Sequence, residues 1–416
     1  MEFDSYWSSC IRLIEKTFVP RVPEGKHRPC TEDDFKNYRN IVNQNCQDIL
    51  SILQHILDEH NETSMSLNSS KVNIFKSYCI IMIGEHSKKN LWTTIESLSL
   101  CKRISEILCD LYSSENFSQL IEKNNEDVGR ILTTLRPKLL KDTWKTYPAS
   151  IICYKWFVTQ LTKSTIINYF NDIIPTALII LDDFEMENRI LGLQCISEIV
   201  KHCHMEKQFV KSGYAEMVLF NLDKFIFEKE LKCTLLLYNC IGKILKSLEL
   251  HKENFNTFEW NERDNVLEKL FDKMECENNQ EIRQSYMIIL GELLNSPGCC
   301  KWCARVIRIV DGYCEHYDDL NHLKIILENM KIILFRFENQ ISSHSESLYK
   351  IFLKLYINLI ELEASEEIFQ ILEDCLYLVC QSTPEITKAL MQDERIRNLI
   401  SKFRSDFVNK LSEITN

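Results

Sequence analysis

Residues 173–200, IIPTALIILDDFEMENRILGLQCISEIV, contain the pattern that decides the fold class. Pro175 lies early in a first predicted helix, and Asp182 and Asp183 mark the turn that follows it. Arg189 then opens a second predicted helix. Apolar residues recur every three or four positions, which places a stripe on one face of each helix: Leu178, Leu181, Ile190, Leu193, Ile196 and Val200. A proline, aspartates at the turn and a basic residue opening the second helix are typical of a HEAT repeat.

The same cadence extends toward the C-terminus. Comparable turns are predicted near Glu228, Glu277, Asp318 and Glu363, at steps of about 45 residues, within the range of HEAT and armadillo repeats. The chain has only 9 glycines and 8 prolines in 416 residues, too few turn residues for a sheet protein of this size. We therefore predict an all-α, HEAT/armadillo-like helical-repeat solenoid over residues 126–416, with roughly five or six helix pairs in residues 130–400.

Residues 1–125 are predicted to be helical as well, but they lack this cadence. Three prolines fall in one linker, VPRVPEGKHRPC (residues 19–30), which separates an initial helix from the rest. Thr31 is a predicted N-cap for the next helix, and residues 62–70 are a predicted polar loop. We expect an irregular helical N-terminal region that ends near residue 125.

Charge and cysteine content restrict the environment and the partners. The chain has 49 basic and 60 acidic residues, a formal charge of −11, which disfavours binding to nucleic acid or to an anionic membrane surface. Its 18 cysteines lie mostly in apolar helical stretches, which indicates buried thiols in a reducing compartment. The first residues, MEFDSYWSSC, do not resemble a signal peptide, and no run of about 18 apolar residues occurs. We predict a protein of the cytoplasm, with the nucleus as an additional compartment.

No catalytic motif is found in the sequence. It contains no glycine-rich phosphate loop, no H-E-x-x-H, no G-x-S-x-G and no EF-hand spacing. We therefore predict that the chain is not an enzyme and binds no cofactor.

One cysteine cluster has partial zinc-site character: Cys299, Cys300, Cys303, Cys314 and His316. Only a single C-x-x-C is present and the later spacing is irregular, so we favour a helix that buries these thiols on one stripe. The run His202-Cys203-His204 ends a predicted helix, where imidazoles suit the helix dipole. No metal site is predicted at either place.

Aromatic residues crowd the segment KDTWKTYPASIICYKWF, residues 141–157. Trp156 and Phe157 lie in an apolar run and are predicted to be core residues. Trp144 and Tyr147 lie among lysines and are candidates for exposed interface anchors.

A family resemblance rests on an ordered set of residues between positions 135 and 200. They are Arg136-Pro137-Lys138-Leu139, Lys141-Asp142, Trp144-Lys145, Pro148, Trp156, Pro175, Leu178, Asp182-Asp183, Glu187-Asn188, Gly192 and Cys195. With these residues the segment resembles the TELO-two-interacting protein two family, the smallest subunit of the Triple T complex. Two features depart from the family: Arg189 stands where lysine is common, and NYFND precedes Pro175 in place of a more apolar run.

The resemblance implies a helical-repeat scaffold that joins two larger partners, TELO-two and TELO-two-interacting protein one. It also implies a co-chaperone assembly that works with the ninety-kilodalton heat-shock machinery. The implied clients are phosphatidylinositol-3-kinase-related kinases, including those of growth control and DNA-damage signalling. A HEAT-repeat adaptor of transport-receptor or phosphatase-regulator type, with transient protein cargo, is the alternative.

Two stretches carry the resemblance and have polar residues suited to a binding edge. Their candidate partner-binding residues are Trp144, Lys145, Tyr147, Asp182, Asp183, Glu187, Asn188 and Arg189. The alternative is that these residues only fix the repeat geometry. In that case the two aspartates cap the turn, and Gly192 permits close packing of the helices.

Overall fold

Helices form all the regular secondary structure in the part of the chain that the structure describes. The computed structural model describes residues 2–22, 30–63, 67, 69–226 and 231–415. These residues form 22 α-helices and four short 3-10 helices, with no strand among them. The predicted all-α class is confirmed. No helix in these ranges is both long enough and apolar enough to cross a lipid bilayer.

The chain divides into two units, Met1–Val218 and Leu219–Asn416. The helices that begin in the first unit are α1 (Glu2–Glu15), α2 (Lys36–Thr63), α3 (Ser70–Glu85), α4 (Ile95–Leu111), α5 (Phe117–Glu122), α6 (Asn125–Leu135), α7 (Pro148–Gln160), α8 (Lys163–Asn168), α9 (Phe170–Leu181), α10 (Met186–Cys203), α11 (Lys207–Lys211) and α12 (Tyr214–Asp223). Within this unit α1 packs on α3, α2 on α4, α3 on α7, and α9 on α10.

The central helix of the first unit is α3, which contacts α1, α4, α6 and α7. Its buried residues occupy all sides of the helix, as expected of a helix enclosed by others: Val72, Phe75, Cys79, Ile80, Ile81, Met82 and Ile83. Gly84 permits the close approach of α7. A Cβ atom at this position would lie 2.6 Å from Cys153 Sγ and 2.7 Å from the Trp156 ring.

Glu85 is a fully buried acid at the C-terminal end of α3. Its Oε2 accepts a hydrogen bond from the Val19 backbone N–H at 2.8 Å, and Lys138 Nζ lies 3.9 Å from Oε1. Burial raises the pKa of Glu85 to about 7, although Lys138 and the Val19 N–H oppose the shift. Glu85 therefore links the segment after α1, the end of α3 and the residues after α6.

The helices of the second unit are α13 (Leu231–His251), α14 (Glu262–Cys276), α15 (Gln280–Leu293), α16 (Cys303–Cys314), α17 (Leu320–Arg336), α18 (Glu338–Glu361), α19 (Glu366–Ser382), α20 (Pro384–Gln392), α21 (Glu394–Phe403) and α22 (Ser405–Thr415). Alternate helices pack on each other: α13 on α15, α15 on α17 and α17 on α19 in one layer, with α14 on α16 and α16 on α18 in the other. This two-layer order of helix pairs is the predicted helical-repeat arrangement.

The predicted turns of the second unit agree with the helix ends. Glu277 is the C-cap of α14, residues 315–319 separate α16 from α17, and Glu363 adopts a positive φ of 52° between α18 and α19. Two ion pairs join α17 to α19 with the same sequence separation between their partners. They are Lys324 with Glu367 at 2.5 Å and Lys331 with Asp374 at 2.6 Å. The predicted turn near Glu228 lies outside the described residues.

Several predicted boundaries shift in the structure. Pro175 lies inside α9, which begins earlier than expected, and α10 begins at Met186, three residues before Arg189. The helix α2 extends through Thr63 into the predicted polar loop, of which residues 64–66 and 68 lie outside the described residues. Residues 23–29 of the proline linker also lie outside them. The division into an irregular region 1–125 and repeats 126–416 stays a prediction.

Candidate functional site

The turn between α9 and α10 is closed by the side chain of Asp183. Its Oδ1 accepts hydrogen bonds from the Glu185 backbone N–H at 2.8 Å and from Asn188 Nδ2 at 3.3 Å. Asn188 Nδ2 also donates to Glu185 Oε2 at 3.0 Å. Asp182 is exposed at the C-cap of α9. Asp183 therefore closes the turn through its side chain, whereas the residues at the helix ends are Asp182, the C-cap of α9, and Glu185, the N-cap of α10.

Gly192 sets the distance between α9 and α10. A Cβ atom at this position would lie 2.4 Å from the backbone N of Leu181 and 2.9 Å from the carbonyl carbon of Ile180. Such distances are far inside van der Waals contact, so any side chain would force the two helices apart. The predicted role of this glycine in close packing is confirmed.

Lys145 joins the two stretches that the sequence identified. Its Nζ lies 2.6 Å from Asp183 Oδ2, and the Asp183 side chain is only 4% exposed whereas that of Lys145 is 45% exposed. Burial alone would raise the pKa of Asp183, but hydrogen bonds from Lys145, the Glu185 N–H and Asn188 outweigh it and hold the pKa below its ordinary value. The carboxylate is therefore ionised at neutral pH and fixes both the turn and the lysine.

Phe184 is the exposed aromatic residue of this turn and was not among the predicted residues. Its side chain is 79% exposed, and Lys145 Nζ lies 3.9 Å from its ring centroid. This distance corresponds to a cation–π contact. The signal in the sequence was a single aromatic residue inside an otherwise acidic turn, DDFEMEN.

Trp144 and Tyr147 differ from the exposed anchors that were expected. The expectation is wrong for Trp144, which is only 3% exposed, because the 3-10 turn Trp144–Thr146 buries the indole and leaves Lys145 outside. Tyr147 is half-buried, with Lys138 Nζ 5.9 Å and the Arg21 guanidinium 5.8 Å from its ring. Trp144 is therefore a core residue, and Tyr147 is only partly available as an exposed anchor.

The remaining predicted residues lie on the first turns of α10. Glu187 is exposed and forms no ion pair within the described ranges, whereas Asn188 and Arg189 are half-buried. Exposed side chains from the two stretches thus form one small surface, here named the Phe184 edge: Lys145, Asp182, Phe184, Glu185 and Glu187. An aromatic ring surrounded by charged groups is suited to binding a protein surface.

Neither segment considered as a metal site assembles one in the structure. The described residues contain no group of three or more histidine, cysteine or acidic side chains placed to hold a metal ion. Burial raises the pKa of the Cys299 and Cys303 thiols to about 11, and both are core residues. In the histidine run, His202 Nε2 lies 3.1 Å from Glu198, and His204 Nδ1 lies 3.0 Å from the Val200 carbonyl oxygen.

Comparison with known proteins assigns the chain to a family. The family model described as the Tti2 family matches residues 48–257, half of the chain, and this range includes the whole Phe184 edge. The chain belongs to the Tti2 family. The predicted family resemblance is confirmed.

Curated relatives of this Tti2-family chain have matching names. It is 26% identical over 341 residues to "TELO2-interacting protein 2" of Homo sapiens, covering 76% of this chain and 67% of the relative. It is 25% identical over 323 residues to the protein of the same name from Rattus norvegicus, covering 74% and 63%. The match spans about two thirds of the length of these relatives. An engineered protein of solved structure is similar over 97% of both chains, with 10% identity and a TM-score of 0.40, too low to support an argument.

Proposed function

We propose that this chain is a non-enzymatic scaffold subunit of the Triple T complex. That co-chaperone assembly supports the maturation and stability of phosphatidylinositol-3-kinase-related kinases. The observation that carries the proposal is the family match over residues 48–257, with relatives named as TELO2-interacting proteins. The proposed direct partners are TELO-two and TELO-two-interacting protein one. The ninety-kilodalton chaperone and the kinases are reached through them, in the cytoplasm and in part in the nucleus.

The Phe184 edge is the proposed contact with one of these partners. Phe184 stands on a turn that Asp183 and Gly192 hold in place, so little conformational freedom is lost when a partner binds. Exposed aromatic residues on rigid supports are typical interface hot spots. The acidic side chains of Asp182 and Glu187 would face basic groups of the partner.

The complex itself is tested by tagged pull-down from the cells of origin, first at moderate and then at high salt. We expect salt-resistant recovery of TELO-two and TELO-two-interacting protein one, with the large kinases as weaker associates. Recovery of varied basic cargo would instead favour the transport-receptor or phosphatase-regulator type of adaptor. If neither TELO-two nor TELO-two-interacting protein one is recovered, the proposal is contradicted.

The edge is tested by Phe184→Ala and Glu187→Lys, with Ile95→Ala as the matched control. Ile95 is also an exposed apolar residue of the first unit, 89% exposed at the start of α4. We expect both edge variants to weaken partner binding by about tenfold or more, roughly 1.4 kcal/mol, with unchanged melting temperature. Unchanged binding in both variants would remove the edge from the interface and leave the complex itself unaffected.

A further inference from the structure

Residues 252–261, which connect α13 to α14 in the second unit, present two exposed aromatic side chains. Phe258 is 73% exposed and Trp260 is 57% exposed. Residues 258–260, together with the side chains that contact them, are here named the Trp260 loop. Large aromatic residues are usually buried in a soluble protein, so two of them exposed within three residues indicate a binding surface.

The Trp260 loop is held in place by side-chain hydrogen bonds and ring packing. Trp260 Nε1 donates to Asn265 Oδ1 at 2.7 Å, and its ring packs on Trp302 with centroids 5.6 Å apart. The Phe258 backbone N–H donates to Asn256 Oδ1 at 3.0 Å. The Trp260 ring and the Phe258 backbone are therefore already fixed in position before any partner binds, which lowers the entropy cost of binding.

Gly298 adds a second constraint from the turn before α16. A Cβ atom at Gly298 would lie 1.6 Å from the Thr257 carbonyl oxygen, so only glycine allows the loop to pack on this turn. Asn261 also donates from Nδ2 to the Glu259 carbonyl oxygen at 3.0 Å while it caps α14. Backbone atoms on both sides of Phe258 are thus fixed.

Most charged side chains near the loop form ion pairs, but two carboxylates do not. Lys252 pairs with Glu262 at 2.5 Å, Arg263 with Glu249 at 2.5 Å, and Lys301 with Asp264 at 2.7 Å. Glu253 and Glu259 are exposed and form no ion pair within the described parts of the chain. Glu259 stands between Phe258 and Trp260 in the chain, so its carboxylate is a negative charge at the rings whose complement is a positively charged group.

The Trp260 indole already has a cation nearby in this fold. Lys301 Nζ lies 5.8 Å from its ring centroid, and Asp264 neutralises that lysine. Tryptophan is the aromatic side chain that binds cations best. Arginine fits such a surface better than lysine does, because its planar guanidinium stacks on a ring and also forms paired hydrogen bonds to a carboxylate.

We propose that the Trp260 loop docks a partner-protein segment that carries an arginine beside an apolar side chain. The guanidinium stacks on Trp260 and pairs with Glu259, and the apolar side chain packs on Phe258. The Trp260 loop contains none of the residues of the Phe184 edge, and its peptide test needs neither proposed partner, so it can fail or succeed independently of the proposed role in the Triple T complex.

The test uses the full chain and short synthetic peptides with an Arg-Leu-Arg core in a Gly/Ser background. Matched peptides carry Lys-Leu-Lys, Glu-Leu-Glu or Arg-Gly-Arg, and binding is measured by fluorescence anisotropy of a terminal label. We expect the Arg-Leu-Arg peptide to bind several-fold more tightly than the lysine peptide and the Arg-Gly-Arg peptide. The Glu-Leu-Glu peptide should not bind.

Substitutions at three exposed residues test whether the peptide binds at the loop: Phe258→Ala, Glu259→Gln and Trp260→Ala. We expect Trp260→Ala to weaken binding by about tenfold and the other two by several-fold. The matched control is Phe335→Ala, since Phe335 is 69% exposed on α17, and this variant should bind as the wild type does. Because Trp260→Ala removes packing on Trp302, the Phe258 and Glu259 variants decide the result if that variant unfolds.

Three results would overturn the proposal. The first is no binding of the Arg-Leu-Arg peptide at millimolar concentration. The second is an equal loss of binding in Phe335→Ala. The third is a concentration-dependent dimer by light scattering that Phe258→Ala abolishes, because it would identify a second copy of the chain as the occupant.

Discussion

Asp183 has two structural tasks, and substitution can separate them. It accepts the hydrogen bond that closes the turn, and it pairs with Lys145. We expect Asp183→Ala to lose about 1–2 kcal/mol of unfolding free energy, because both tasks are lost. Asp183→Asn keeps an acceptor for the Glu185 N–H and should lose well under half as much. Urea unfolding at pH 7 measures both variants, and equal losses would show that the ion pair dominates.

Glu85 is expected to make stability depend on pH in a distinctive way. Its pKa in the folded chain is about 7, above the ordinary value of 4.5, so the folded state retains a proton that the unfolded chain releases. Its contribution is therefore fully present below about pH 4.5 and is lost as pH rises through 7. His86 acts oppositely, because burial lowers its pKa to about 4, and its contribution is lost as pH falls below about 6.5.

The Glu85→Gln variant isolates the carboxyl. Glutamine resembles the protonated acid, so the variant should lose this pH-dependent contribution. The opposite contribution of His86 remains, so the stability of the variant should rise between pH 4.5 and 7. Relative to the wild type it should gain on the order of 2–3 kcal/mol over that interval. Urea unfolding across pH measures the difference. A constant difference between the two proteins would mean that Glu85 does not titrate there.

At the scale of elements, two helical glycines should respond oppositely to alanine. Gly192→Ala places a Cβ atom 2.4 Å from the backbone of Leu181, so α10 must move from α9, at a cost of about 1–3 kcal/mol. A Cβ atom at Gly312 in α16 would meet no neighbouring atom within 4 Å, so Gly312→Ala should gain about 0.5–1 kcal/mol. Thermal unfolding of both variants is the measurement. A stable Gly192→Ala variant would contradict the close approach of the helices.

The α9–α10 pair shows what the sequence could predict at this scale. Local patterns identified both helices, the Asp183 turn and the role of Gly192, because each depends on residues close in the chain. The contact between Lys145 and Asp183 is tertiary and bridges 38 positions, so no local pattern contained it. Burial of Trp144 likewise depends on tertiary packing. The lysines next to it in the sequence indicated an exposed segment instead.

For the whole molecule, the repeat order was predictable but the division into units was not. The apolar periodicity of α13 to α19 and the turns at Glu277, Asp318 and Glu363 follow directly from the sequence. The division after Val218 falls inside α12, where no break in composition or periodicity marks it. The predicted limit near residue 125 rests on the point where the regular spacing of the repeats begins. That spacing is a property of the sequence and does not report which helices pack together into a unit.

Hydrogen exchange can test the proposed assembly on the whole molecule. If TELO-two or TELO-two-interacting protein one binds the Phe184 edge, the amides of residues 182–189 should exchange more slowly in the complex than in the isolated chain. Binding of a partner to the folded state also opposes local opening of the turn. Amides of α4 near Ile95 serve as the internal reference and should be unaffected. In Phe184→Ala the protection should disappear although the chain stays folded. Protection confined to other residues would place the partner elsewhere on this subunit and leave the Asp183 turn with a structural role alone.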